Sequence, residues 1–288
     1  LSGTLLLLAV VAVGDISRSA RRWLDLGVLR FPPSVLMKVA VPMTMAWFFS
    51  DKPLPPCWRH LLGGVLLTGI PFILIARQPD LGTALVVGCA GASVLFLAGL
   101  SWILMIGLAG ILSAVLPLFW TFVMHDYQRQ RVLTFLDPET DPLGAGYHII
   151  QSRIAIGSGG IYGKGWLNGT QSHLDFLPEG STDFIFAAFS EEFGLVGSCL
   201  LLILYFSIVA RCLHLATRAP DTYTRLLAGS LALIFFLYAF VNSGMVSGLL
   251  PVVGLPLPLF SYGGTSLVTI MAGFGILMSV HAHRRIVP

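Results

Sequence analysis

A chain of 288 residues that is 56% hydrophobic and only 11% charged, with net charge +3 and mean hydropathy +0.84, is not built as a soluble domain. Soluble domains carry roughly 25% charged residues, so this composition is that of an integral membrane protein. The small net charge and the lack of a basic tract give no ground for a nucleic-acid partner.

Eight apolar segments follow one another, approximately over residues 4–14, 34–50, 60–76, 80–99, 102–124, 185–210, 225–250 and 260–282. They are continuous runs rather than short alternating strands, which predicts helices. Most reach the roughly 20 residues that cross the hydrocarbon core. The expected fold is an all-α polytopic membrane bundle, one domain over residues 1–288. The chain opens on Leu1 with a short first segment, which predicts a truncated start. Leu5 to Val13 lacks the basic region and cleavage site of a signal peptide. Cys57, Cys89, Cys199 and Cys212 form neither a CxxC motif nor a disulfide framework, and read as packing residues.

Residues 125–184 form one long connection, expected to be a large extracytoplasmic loop. Its aromatic and apolar content argues against disorder and predicts that it folds onto the bundle. Helix parity puts Lys52, Arg59, Arg211, Arg218, Arg225 and the His281–Arg285 tail on one side, read as cytoplasmic. The stretch Arg18-Ser19-Ala20-Arg21-Arg22-Trp23 then falls outside, against the charge rule. Either that orientation is wrong or these arginines are kept outside for a reason, and an anionic substrate supplies one.

Several motifs carry chemistry. In Gln78-Pro79-Asp80-Leu81-Gly82-Thr83, Pro79 stops one helix and Asp80 is placed to cap the next. The segment Gly157 to Gly165 resembles a phosphate loop but has Ser158 and Gly165 where a Walker motif needs Gly and Ser or Thr. It is expected to be a flexible outer loop whose amides and Lys164 meet an anion. His125 and Asp126 lack a dependable third metal ligand. Asp175, Glu179 and Asp183 crowd the mouth of the helix that starts near Ile185. Acids at a membrane edge usually serve a site. The alternative is that Ser181 or Thr182 caps the helix and Asp183 favours its positive end. Finally, Pro251, Gly254, Pro256 and Pro258 forbid a continuous helix across residues 249–266. Broken backbone at membrane depth must be buried in protein or line a polar cavity, so this stretch is a candidate groove wall. It equally suits a transporter.

Together these pieces resemble the SEDS family (shape, elongation, division and sporulation). The matching stretches are Ala20–Trp23, Gln78–Thr83, Arg131–Pro138, Gly157–Gly165, Leu177–Glu192 and Gly248–Ser266, in order along essentially the whole chain. The region His125 to Ser152 looks like the rod-shape branch rather than the division branch. The resemblance implies a ten-span peptidoglycan glycosyltransferase of the bacterial cytoplasmic membrane, with the first two helices and the start of the third missing here. It implies lipid II as substrate, and as partners a class B penicillin-binding transpeptidase and other membrane proteins of the elongation complex. Asp183 matches the family's essential aspartate, Arg22 and Lys38 an important basic pair, and Asp175 a further acid. The family usually has Phe-Gln-Pro-Ser-Glu before the lysine; here Phe31-Pro32-Pro33-Ser34-Val35 lacks both the glutamine and the glutamate.

Polymerisation joins a sugar 4-hydroxyl to an anomeric carbon and expels undecaprenyl pyrophosphate. Asp183 is the expected general base, with Asp175 and Glu179 tuning it or holding a cation. Arg22, Lys38, Arg131 and Lys164 are the expected charges facing the pyrophosphate. No organic cofactor is expected, and a divalent cation such as Mg²⁺ or Mn²⁺ fits oxygen-rich surroundings. Two rivals stand beside this reading: a lipid II flippase that makes no bonds, and a scaffold that activates a separate polymerase.

Overall fold

The computed structural model describes residues 15–17, 20–25, 30–78, 80–101, 103–104, 106–107, 110, 113–114, 129, 133–138, 145–173, 176 and 179–282, with backbone alone for 15–17, 20–25, 30–31, 145 and 172–173. Expectations for segment 4–14, for most of 102–124, and for Arg131, Asp175 and the Arg22 side chain lie outside these residues. The elements are β1 (Asp15–Ser17), β2 (Ala20–Asp25), β3 (Arg30–Phe31), α1 (Pro33–Ser50), α2 (Trp58–Arg77), α3 (Leu81–Leu97), α4 (Ala145–Gly159), α5 (Thr170–His173), α6 (Ile185–Thr217), α7 (Thr222–Val246) and α8 (Gly264–Ala282). Four of them, α2, α6, α7 and α8, are long and apolar enough to cross a membrane, and α3 is a shorter apolar helix. The helical, membrane-type architecture agrees with the composition.

Contacts divide the chain into two compact units. The first holds Leu1–Leu100, Ser207–Leu237 and Gly263–Pro288, and the second Ser101–Phe206 and Tyr238–Tyr262.

In the first unit, the strands at 15–17, 20–25 and 30–31 add something the hydropathy did not show, antiparallel pairing in the order β1-β2-β3. A polar connection beside a membrane must satisfy its main-chain groups, and pairing within itself does so. Pro32 precedes α1 in an extended conformation (φ −84°, ψ 119°), as a residue before proline prefers, and Pro33 opens the helix where its missing N–H costs nothing. Met37, Val41, Met45 and Phe49 recur every four residues and are all buried, giving α1 one packed face against α2, α3 and α8. Small residues set the α2–α3 approach: a Cβ on Gly91 would collide with Thr68, and one on Gly88 would lie 3.1 Å from Phe72. The opposite side of α2 exposes Leu62, Leu66, Ile70 and Ile73, an apolar surface that suits lipid.

In the second unit the sequence pattern predicts one continuous span over 185–210, and the structure instead breaks α6 at Gly194 (φ 65°, ψ −162°). That region of backbone space is open to glycine almost alone. Breaking the helix orphans the carbonyls of Glu191 and Glu192 and the amides of Leu195 and Val196. The glycine-rich segment answers all four. Lys164 N donates to Glu191 O (3.0 Å) and Gly165 N to Glu192 O (2.9 Å), while Gly160 O accepts from Leu195 N (2.9 Å) and Ile161 O from Val196 N (3.0 Å). A Cβ on Gly159, Gly163 or Gly194 would collide with the facing main chain, so the approach needs these glycines. The long connection thus contains α4, packs on α6 at Gly159, and meets α7 where Ser152 Oγ donates to Val246 O (3.0 Å). The expected flexible, anion-meeting loop is corrected accordingly: the amides of Lys164 and Gly165 are already bonded within the protein.

Candidate active site

The acids singled out by sequence sit in a tight turn at the head of α6. Glu179 has φ 60°, a left-handed conformation uncommon outside glycine, and its carbonyl accepts from Thr182 N (3.0 Å) and Phe184 N (3.2 Å). The Thr182 hydroxyl donates to Glu179 Oε2 (2.6 Å), so it faces back into the turn. Glu179 is exposed and Asp183 is half-buried. Phe184 is buried beneath them and stacks on His148 of α4, with ring centroids 5.7 Å apart.

The turn is held by the proline-rich segment after α7. As its prolines predict, residues 251–263 are not helical. Three successive turn carbonyls are taken up from α7 and this segment. Tyr262 N donates to Ser181 O (2.9 Å), Ser261 Oγ to Thr182 O (2.6 Å), and Asn242 Nδ2 to Asp183 O (2.8 Å). The segment is braced in turn: Leu257 N donates to Ser261 Oγ (2.7 Å), and the buried Tyr205 hydroxyl donates to Pro258 O (2.5 Å). Gly254, at φ 72°, underlies the carboxylate, for a Cβ there would stand 3.4 Å from Asp183 Oδ2. The side chain of Asp183 is therefore aimed across main chain that carries no side chain of its own.

Lys164 has a different partner from the anion expected for it. Its ammonium lies 2.6 Å from Glu191 Oε1, with the Glu191 side chain fully buried, and donates to Thr170 Oγ1 (2.8 Å). Thr170 Oγ1 and Gln171 N also donate to the Glu191 carboxylate (3.0 and 3.1 Å). A charge so neutralised holds the loop on α6.

Lys38 and Asp80 belong to the first unit. Lys38 is 8% exposed on α1, and Asp80 is the carboxylate whose charge acts on it. Asp80 Oδ1 also accepts from Thr83 N (3.2 Å), capping α3 as the sequence suggested. Among the described residues no group of three His, Cys, Asp or Glu converges into a metal cage.

Sequence reasoning passed over Asn242, Ser261, Tyr205 and Glu191. A signal was available for two of them. Asn242 and Glu191 are polar residues inside long apolar runs, where such groups mark structure or function.

A family profile described as cell cycle protein, covering FtsW, RodA and SpoVE, matches residues 1–286. The chain is 58% identical over 282 residues to the peptidoglycan glycosyltransferase MrdB of Escherichia coli (strain K12), covering 98% of this chain and 76% of that protein. It is 34% identical to the stage V sporulation protein E of Bacillus subtilis (strain 168), over 98% and 76% of the two chains. Among solved structures, one described as "Structural coordination of polymerization and crosslinking by a peptidoglycan synthase complex" superposes with a TM-score of 0.81 at 36% identity, over 99% of this chain and 80% of that one. The rod shape determining protein RodA of Thermus thermophilus superposes with a TM-score of 0.69 at 32% identity, over 99% and 76%. The chain belongs to the FtsW/RodA/SpoVE cell cycle protein family, known as SEDS.

Proposed function

We propose that this chain is a peptidoglycan glycosyltransferase that polymerises lipid II into glycan strands during cell elongation. The observation that carries the proposal is the 58% identity to MrdB across 98% of the chain. The flippase reading draws on the spans, the outside arginines and the broken segment at 249–266, and the last of these has a role in holding the Asp183 turn.

In the proposed reaction Asp183 accepts the proton of the acceptor sugar's 4-hydroxyl as its oxygen bonds to the anomeric carbon of the donor. The bond from that carbon to undecaprenyl pyrophosphate breaks, and the leaving group carries away the electron pair. General-base assistance of this kind contributes roughly 10²–10⁴-fold. Arg22, Lys38 and Arg131 are proposed to neutralise the pyrophosphate, and Asp175 and Glu179 to tune Asp183. A divalent cation would be held by Glu179 and Asp175, since such an ion can bind through one or two carboxylates without a closed cage, and it would supply further positive charge. The turn bearing Asp183 is proposed to face the extracytoplasmic side of the inner membrane. A class B penicillin-binding transpeptidase and other elongation-complex membrane proteins are the proposed partners. The superposition on a peptidoglycan synthase complex supports that pairing.

The test is polymerisation of labelled lipid II by the purified protein with a transpeptidase partner. Wild type yields glycan strands, and Asp183→Asn loses at least about 10²-fold while expressing and inserting normally. Strands undiminished in the Asp183→Asn protein would remove Asp183 from the chemistry, and none from wild type would remove the enzyme reading.

A further inference from the structure

Asn242 is the residue on which the geometry at Asp183 converges. It lies on α7, fully buried, and its amide donates in two directions: to Asp183 O (2.8 Å) and to Leu255 O (2.7 Å). Leu255 follows Gly254, the residue whose bare backbone underlies Asp183 Oδ2. One carboxamide therefore ties the main chain of Asp183 to the main chain beneath its carboxylate. Both neighbours are carbonyl oxygens, so the NH₂ must face them and the orientation of the amide is settled by chemistry. Its Oδ1, equally buried, has no hydrogen-bond partner among the described residues. An apolar side chain would avoid that unsatisfied acceptor, and a fully buried amide that carries one is held there by its donors. Among neutral side chains only glutamine also offers two N–H bonds from a single amide nitrogen, and it is one carbon longer.

We infer that Asn242 is a positioning residue that sets the aim of the Asp183 carboxylate by fixing the turn at residues 179–184 to the segment at Gly254–Leu255. The inference rests on Asp183 being the base of the polymerisation proposed above. A base misplaced by about 1 Å loses on the order of 10²-fold in rate. Substrate recognition by other groups is untouched.

Three readouts test this on the purified protein with its transpeptidase partner. Asn242→Ala lowers kcat for lipid II polymerisation by tenfold or more with KM changed less than about twofold. A merely structural role predicts a lower melting temperature with kcat per folded molecule retained, and that result overturns the inference. Asn242→Asp is isosteric, and its carboxyl donates only when protonated. The ratio of wild-type to variant activity therefore falls as pH is lowered; a ratio flat with pH counts against the inference. The third readout needs no activity. In a background carrying Cys57→Ser and Cys199→Ser, the thiol introduced by Asp183→Cys reacts with a charged alkylating reagent at a rate that shifts severalfold on adding Asn242→Ala. The thiol of Glu179→Cys, on the exposed end of the same turn, does not shift. Equal rates at position 183 with and without Asn242 overturn positioning even if the chain turns out not to polymerise, and a shift there with no polymerisation by wild type strikes the enzyme reading alone.

Discussion

At Gly194 a helix breaks and main chain closes the gap; beyond Val246 a helix ends in a proline-rich stretch, and side chains do much of the closing. In the first case the four orphaned groups of α6 meet four groups of the segment 160–165, and Lys164 with Glu191 clasps the join. In the second, Asn242, Ser261 and Tyr205 reach carbonyls of the Asp183 turn and of the proline-rich stretch. Main-chain pairing depends little on residue identity beyond glycine, so the first break is a joint that secures the fold. Side-chain bonds depend on each residue and fix a particular turn, so the second break is where the proposed mechanism arranges its chemistry. The lesson is that broken backbone in a membrane protein is informative chiefly through what satisfies it.

The sharpest way to break the comparison is Gly194→Ala. An alanine there must adopt φ near 65° and ψ near −162°, and its Cβ meets Gly163 N and Ile161 O. Strain of that kind with a main-chain collision costs more than about 3 kcal/mol, so the variant loses thermal stability or fails to accumulate. Melting of the detergent-purified protein reads it. A variant that melts with wild type would show that the joint is not a fixed element.

Next in size is the clasp. Glu191→Gln leaves Lys164 without its counter-charge and weakens the bonds to Thr170 and Gln171. Losing one partner of a buried pair costs about 3–5 kcal/mol, and with the Lys164 side chain 28% exposed the expectation here is about 1–3 kcal/mol. The double variant Glu191→Leu with Lys164→Met recovers part of the loss, because no charge is then left unpaired. The melting temperatures of single and double variants measure the coupling. A double no better than the worse single would mean the clasp acts through shape rather than charge.

How much of this was legible in the sequence differs between the two breaks. Pro251, Pro256 and Pro258 announce their break, since proline removes a donor and clashes within a helix. Asp80 announces its cap through its place after Pro79 and before an apolar run. Gly194 announces nothing, because a lone glycine in an apolar run is tolerated in ordinary membrane helices. The segment 157–165 reads as flexible for the same reason. Its glycines look like freedom until the partner strand of main chain, thirty residues on, is seen to require them. The strands at 15–17, 20–25 and 30–31 were hidden by hydropathy, which does not report pairing among polar residues. The acids at 179 and 183 were visible, but the donors that orient the turn come from α7 and from residues 261–262, too far along the chain for local patterns to connect.

The smallest effect on stability is expected where the effect on activity is greatest relative to it. Gly254→Ala adds one methyl 3.4 Å from Asp183 Oδ2, an ordinary contact distance, at a residue with φ 72°. The left-handed conformation costs an alanine roughly 1–2 kcal/mol, less than the loss expected at Gly194. On the proposed mechanism the methyl stands beside the carboxylate that receives the sugar hydroxyl's proton. Polymerisation should fall about tenfold or more while the melting temperature moves by only a few degrees. Gly194→Ala should do the reverse, removing folded protein while whatever folds retains its rate. If Gly254→Ala lost stability and activity in step, the second break would be a joint like the first, and the distinction between a fold-securing and a chemistry-aiming break would not survive.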